Sequence, residues 1–355
     1  MSDLRYGLLG AGMMGQEHIR NVALLGDAAV TAICDPDDGM AAEAMRQAPG
    51  ATRVPDLAAL LDSGIDALIV ASPNDCHAAQ LREIMARRRL PVLMEKPLYT
   101  DPHDAAEFGA LGADLPVWVA MEYRYMPPVA RFIDRARDVT GGIRMLTIRE
   151  HRFPFLDKVE LWNRHSARTG GTMVEKCCHF FDLMRHILKA DPVRVMASCG
   201  QDVNRLDEAD VLDNGYVIVD FEQGSRAMLE LCMFAEGSEY QEELSAIGPR
   251  GKIEAKVIGP GRFWPDHLGT PPVPLVVESP REPRGPVTTE VPVPAELLHA
   301  GDHNGSTFYQ HERFARVVRG EASPEVTLAD GAWAVRMGHA AQESARTGRS
   351  VSLVR

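Results

Sequence analysis

No apolar run in these 355 residues approaches the roughly 20 that a membrane-crossing helix needs. Six cysteines are present (Cys34, Cys76, Cys177, Cys178, Cys199 and Cys232), yet none forms a C-x-x-C zinc pattern. Several lie inside apolar runs and read as buried, reduced thiols. An excess of basic residues is missing too. The formal net charge is −12, which removes the attraction that nucleic acid or an anionic membrane surface would require. The start, Met1-Ser2-Asp3-Leu4-Arg5-Tyr6, lacks signal-peptide anatomy and runs straight into a strand pattern, so a cytoplasmic location is expected. What remains is a globular composition, 45% apolar and 25% charged, in a chain long enough for two cores.

The first third alternates short apolar runs with helical stretches. Tyr6-Gly7-Leu8-Leu9 leads into Gly10-Ala11-Gly12-Met13-Met14-Gly15, and Gln16 to Leu25 reads as a helix. Glycines at this spacing allow a tight turn, a close backbone approach to a pyrophosphate and close helix–strand packing. The helix amino terminus then offers unpaired N–H groups to phosphate. Val30 to Cys34 forms a second strand ending in Asp35, and Ala67 to Ala71 a third ending in Ser72-Pro73-Asn74. A carboxylate at Asp35 suits the adenosine ribose hydroxyls and repels a 2′-phosphate, so NAD is expected over NADP. The plainer reading of Asp35-Pro36-Asp37-Asp38 is a polar turn. Pro91 to Met94 and Val117 to Ala120 complete the run of strands. Alternation of this kind predicts a doubly wound parallel sheet with ligand at the strand carboxyl ends.

Glu95-Lys96-Pro97 falls at such an end. A lysine there points into a crevice rather than bulk water, and Pro97 fixes the backbone that follows it. From about Arg124 the character changes. Gly142–His151, Gly215–Phe221, Ala227–Phe234 and Glu239–Ile247 are successive strand candidates without intervening helices, which predicts a mostly antiparallel sheet. Residues 1–123 are therefore expected to form one domain and 124–355 an α+β domain. Proline-rich Asp266 to Pro294 reads as an excursion or edge segment, and Gly305–Val318 and Ala329–Thr347 as helices.

Thr172 to Leu188 reads as a helix with an apolar stripe and an opposite stripe of Glu175, His179, Asp182 and His186. Three readings stand for the polar stripe. It is a solvated face, or a metal pair at i, i+4 that lacks a third ligand, or it presents His179 as a general base.

The series Gly10-x-Gly12-x-x-Gly15, Ser72-Pro73-Asn74-x-x-His77 and Glu95-Lys96-Pro97 resembles the glucose–fructose oxidoreductase / inositol dehydrogenase / MocA family. So do Gly170-Gly171-x-x-x-Glu175-x-x-x-His179-x-x-Asp182 and the closing segment Asp330 to Val351. The resemblance implies a Rossmann domain followed by a domain built on a large, mostly antiparallel open sheet, which often serves as an oligomer interface. It implies oxidation or reduction of a secondary alcohol on a polyol, inositol or sugar, within a homodimer or homotetramer. His179 would be the base, oriented by Glu175, with Lys96 stabilising the developing oxyanion. Gly10 to Gly15, Asp35, Ser72, Asn74, His77, Glu95 and Lys96 would surround the cofactor, with His77 supporting its loop. Arg124, Trp162, Arg164 and His303 are candidates for the substrate pocket. Two positions depart from the family pattern: Glu175 stands where Asp is common, and Thr172 where Gly is common. No resident metal is implied. Other substrates of the same chemistry are an aldose, an anhydrosugar or a dihydrodiol. A rival from another class is a dinucleotide-binding sensor without turnover, for which the joint presence of Lys96 and His179 would be superfluous.

Overall fold

The computed structural model describes residues 3–111, 115–204 and 208–353; Met1 and Ser2, part of the amino-terminal reading, lie outside them. Six parallel strands form the first sheet: β1 (Leu4–Leu9), β2 (Ala28–Cys34), β3 (Thr52–Arg53), β4 (Ala67–Val70), β5 (Val92–Met94) and β6 (Val117–Val119). Their order is β3-β2-β1-β4-β5-β6. The chain winds outward to one side from β1, then returns to the other side at β4. That reversal opens a crevice above β1 and β4, where glycine loop and Ser72 loop meet. Strands β4, β5 and β6 are buried at every position, because helices cover both faces. The helix after the glycine loop starts earlier than the periodicity indicated, at Met13, and ends at Leu24.

The second sheet has nine strands: β7 (Met145–His151), β8 (Pro192–Gly200), β9 (Asn214–Phe221), β10 (Arg226–Cys232), β11 (Glu242–Gly248), β12 (Gly251–Val257), β13 (Leu275–Pro280), β14 (Val287–Glu290) and β15 (Val351–Ser352). They run β14-β13-β12-β11-β7-β10-β9-β8-β15. Only β7 and β10 pair in parallel; the other neighbours are antiparallel. Strict alternation sets the faces. Leu146, Ile148, Leu229, Val217, Val219, Leu244, Ala246, Ile253 and Ala255 point inward, against the helices Pro127–Thr140 and Leu328–Thr347. The proline-rich stretch supplies β13 and β14 at one edge, where missing backbone donors cost nothing. Strands β8 and β12 were not distinguished by their local pattern. Among the described residues no helix is long and apolar enough to cross a membrane.

Thr172 to Leu188 is not one continuous helix. It breaks into Thr172–Glu175 and Cys178–Leu188, because the Thr172 carbonyl accepts from both Lys176 N and Cys177 N. This widened turn spoils the i, i+4 register between Glu175 and His179. The solvated-face reading also fails: Glu175, His179 and Asp182 are 3%, 2% and 1% exposed. Each must therefore have a partner or a task.

Candidate active site

The glycine loop forms a cradle. Gly10 has φ +91°, and a side chain on it would meet the Ser72 amide; one on Gly15 would collide with the Gly10 carbonyl. Gly12 faces open space, and as helix N-cap it has no side chain to satisfy the first-turn N–H groups. Ala11, Met13 and Met14 contribute backbone to this bare rim. Such a helix end suits a pyrophosphate. Asp35 braces the loop rather than lying free: its Oδ2 accepts from Ala11 N at 2.6 Å and its Oδ1 from Asp37 N at 2.8 Å. Ser72 Oγ bonds Gln80 Oε1, and the buried Asn74 amide nitrogen has no partner among the described residues, leaving a donor for a ligand at this edge.

His77 is fully buried and ties two strand ends together. Its ring nitrogens meet the Pro97 carbonyl at 2.7 Å and the Ser72 carbonyl at 3.0 Å, a supporting role. Glu95 is buried as well. Its Oε1 meets His18 Nε2 at 3.1 Å, and His18 in turn contacts His311, so Glu95 links the first helix to the strand end. Lys96, half-buried and followed by a cis peptide to Pro97, donates to the Glu175 carbonyl at 3.3 Å. Burial opposes its charge, but Cys178, then Glu95, Glu175 and Glu122 around it raise the ammonium above its ordinary value. It is a fixed cation.

His179 lies stacked on the Tyr123 ring, centroids 4.1 Å apart and the rings nearly parallel. Burial, then the charges of Lys96, Lys176, His303 and Arg152, push it well below its usual value, so it is neutral. The nearest carboxylate is not Glu175 but Glu122, whose Oε1 is 3.7 Å from His179 Nε2. Burial and then Glu95 raise Glu122 to about 7, against His303 and Lys96. The His303 ring lies tilted beside Tyr123, centroids 6.1 Å apart, and donates to Glu17 at 2.7 Å. Burial works against its charge, but Glu17 lifts it to about 9.

The other expected residues are distributed differently. Glu175 pairs with Lys158 at 3.4 Å rather than orienting His179, and Lys158 sits over the Trp162 ring at 4.3 Å. Trp162 is thus linked to Glu175 through Lys158. Arg164 is held elsewhere by Asp157 and Glu208. Arg124 is committed to Asp182 by two hydrogen bonds, at 2.6 and 2.5 Å, and to the Glu325 carbonyl at 3.1 Å. Among the described residues no group of three or more His, Cys, Asp or Glu is placed to hold a metal.

Three acidic groups and one lysine escaped the reading of the chain. Lys176 Nζ bonds the Tyr123 hydroxyl and meets Glu150 at 2.8 Å. Glu150 and Glu242 face each other across β7 and β11, both on the inward face and both buried. Their signal was present: Glu150 continues the inward set Leu146, Ile148, where alternation demands an apolar residue. Glu122 follows the buried strand β6, as Glu95-Lys96 follows β5.

Comparison with known proteins gives two matches that together span most of the chain. Residues 4–123 match the NAD-binding Rossmann fold of the GFO_IDH_MocA oxidoreductase family, and residues 136–353 its C-terminal alpha/beta domain. The inositol 2-dehydrogenase of Rhizobium meliloti is 28% identical over 261 residues, 71% of this chain and 76% of that one. The rhizopine catabolism protein MocA of the same species is 25% identical over 271 residues, 75% and 80% of the two chains. The crystal structure of GenD2 from gentamicin A biosynthesis, in complex with NAD, superposes with a TM-score of 0.80 at 22% identity, over 100% of this chain and 97% of that one.

Proposed function

The chain belongs to the Gfo/Idh/MocA family, an NAD-binding dehydrogenase acting on CH–OH substrates, and from that premise we propose reversible oxidation of a secondary hydroxyl on a polyol, inositol or sugar. His179 is the general base, and Lys96 is the cation that holds the substrate oxygen. The observation that carries this is their convergence. Lys96 bonds the carbonyl of Glu175, at the turn leading to His179, and its charge helps keep that histidine neutral.

The residues fit the cofactor. The bare helix end at Gly12 would hold the pyrophosphate, Asp35 the ribose side, and the unpartnered Asn74 amide lies at the same strand ends. A bound nicotinamide supplies the hydride acceptor. His179 removes the hydroxyl proton, and Lys96 lowers the energy of the oxygen as negative charge grows there. Trp162 and Lys158 form the wall beside Glu175, and the protonated His303 flanks Tyr123. Glu175 acts through Lys158 and its own carbonyl on Lys96, a positioning role in place of the one its spacing suggested.

The test is a panel of inositol isomers, aldoses, anhydrosugars and a dihydrodiol, each with NAD and NADP, followed by nicotinamide absorbance. Turnover is expected with a polyol or sugar and NAD. Tight cofactor binding with no turnover on any of them would overturn the proposal, and faster turnover with NADP would overturn the role given to Asp35.

We also propose that the outward face of the second sheet joins copies of this chain into a homodimer or homotetramer. Met145, Tyr216, Ile218 and Ile247 lie exposed on that face, at 55%, 58%, 40% and 41%. Light scattering should return two or four times the 39.0 kDa chain mass. A monomer mass at micromolar concentration would sink this assignment.

A further inference from the structure

Glu122 is 1% exposed, and neither carboxylate oxygen has a hydrogen-bond partner among the described residues. A buried carboxylate without a partner is costly and makes no sense as a structural brace. Its position does make sense: it follows β6 at the carboxyl edge of the parallel sheet, with Oε1 3.7 Å from His179 Nε2. That separation exceeds a hydrogen bond, as catalytic contacts often do before substrate closes the site.

We propose that Glu122 receives the proton from His179, so that the working base is the His179–Glu122 pair; this rests on the reading of His179 as the base. In the oxidation direction the substrate O–H bond breaks as an N–H bond forms on the imidazole. The hydride leaves the same carbon with its electron pair for the nicotinamide. The N–H at Nε2 then breaks as an O–H forms on Glu122 Oε1, which restores neutral imidazole. In the reverse direction the proton retraces the path to the alkoxide.

Relative basicity gives the direction. His179 alone, held well below its ordinary value, is a weak base near neutrality, whereas Glu122 titrates at about 7. A proton on the imidazole therefore moves downhill to the carboxylate. The groups facing Glu122 come from every neighbouring element: Glu95 and Lys96 after β5, His179 on the broken helix, and His303 before the helix Ser306–Val318. Glu95 keeps Glu122 basic, while Lys96 and His303 keep it from remaining protonated far above neutrality. Two interacting groups of this kind titrate as a unit.

The experiment is Glu122→Gln, which keeps the side chain's size but cannot take the proton. Oxidation needs the pair unprotonated, so the wild-type rate falls as pH drops through about 7. In the variant only His179 titrates, so this acid limb moves to lower pH, and the neutral-pH rate drops on the order of 10²-fold. An independent readout needs no turnover. Infrared absorption of buried carboxylic acid in the cofactor-free protein should vanish through about pH 7, with contributions from Glu122 and Glu242. The variant should retain only the second. An unshifted acid limb and unchanged infrared change, with His179→Ala inactive, would refute the relay and leave the base assignment standing. An active His179→Ala would remove the base assignment itself. If Glu122→Gln does not fold, Glu122→Asp decides: it should keep the limb near neutrality at a slower rate, and a shifted limb overturns the relay.

Discussion

Lys96→Met lowers turnover by about 10²-fold or more, and His179→Ala by about 10²- to 10⁴-fold, while each variant still binds NAD. The reasons differ. Lys96 is a cation whose neighbours hold its charge, sited where solvent is largely excluded, so its loss removes stabilisation from the oxygen as charge develops. Loss of His179 removes the first acceptor of the hydroxyl proton. The pyrophosphate cradle at Gly10 to Gly15 touches neither side chain, so cofactor affinity measured by fluorescence should change little. The pH profile of Lys96→Met adds a signed check. Lys96 depresses His179, so its removal raises the basicity of the site and moves the acid limb of kcat/KM to higher pH. Wild-type turnover in either variant with cofactor bound, or a limb shifted to lower pH in Lys96→Met, would show the roles are misassigned.

Arg124→Ala costs about 3–5 kcal/mol of stability, the usual result of leaving one member of a buried ion pair alone. Asp182 is 1% exposed and accepts both hydrogen bonds from the guanidinium, which also donates to the Glu325 carbonyl at 3.1 Å. Removing the arginine strands a carboxylate and a carbonyl in the interior. The measurement is the thermal midpoint of the variant beside the double variant Arg124→Met/Asp182→Leu, which removes both charges and should recover part of the loss. If Arg124→Ala kept wild-type stability but raised KM, the arginine would be a substrate ligand after all. The pair joins the segment after β6 to the helix Cys178–Leu188, which carries His179. A destabilised variant should therefore also lose turnover, in proportion to the fraction unfolded at assay temperature.

The legible part of the chain was the part governed by local rules. The parallel sheet showed itself because its central strands are continuous apolar runs, and the cradle because Gly10 and Gly15 stand where a side chain would strike backbone. Lys96 and His179 stood out because a charge at the end of a buried strand and a histidine inside a helix demand a reason. Asp35 was half legible: its position at the end of β2 was clear, its grip on Ala11 N was not.

Side-chain pairing needed the tertiary structure. Glu175 and His179 are four residues apart, and a regular helix would stack them. A carbonyl shared between two amides widens the turn and sends Glu175 to Lys158. The carboxylate nearest His179, Glu122, comes from a segment 57 positions earlier, and no periodicity links them. Arg124 looked like a pocket residue until Asp182, 58 positions away, proved to hold its Nε and Nη2, with Nη1 on the Glu325 carbonyl. By itself the sequence determined the parallel sheet, the mostly antiparallel character of the second, the glycine cradle and the place of Lys96 at a strand end, because backbone geometry and burial patterns act over a few residues. The identity of each charge's partner was decided only in three dimensions, since electrostatic pairing depends on distance through space and on how much water the fold excludes.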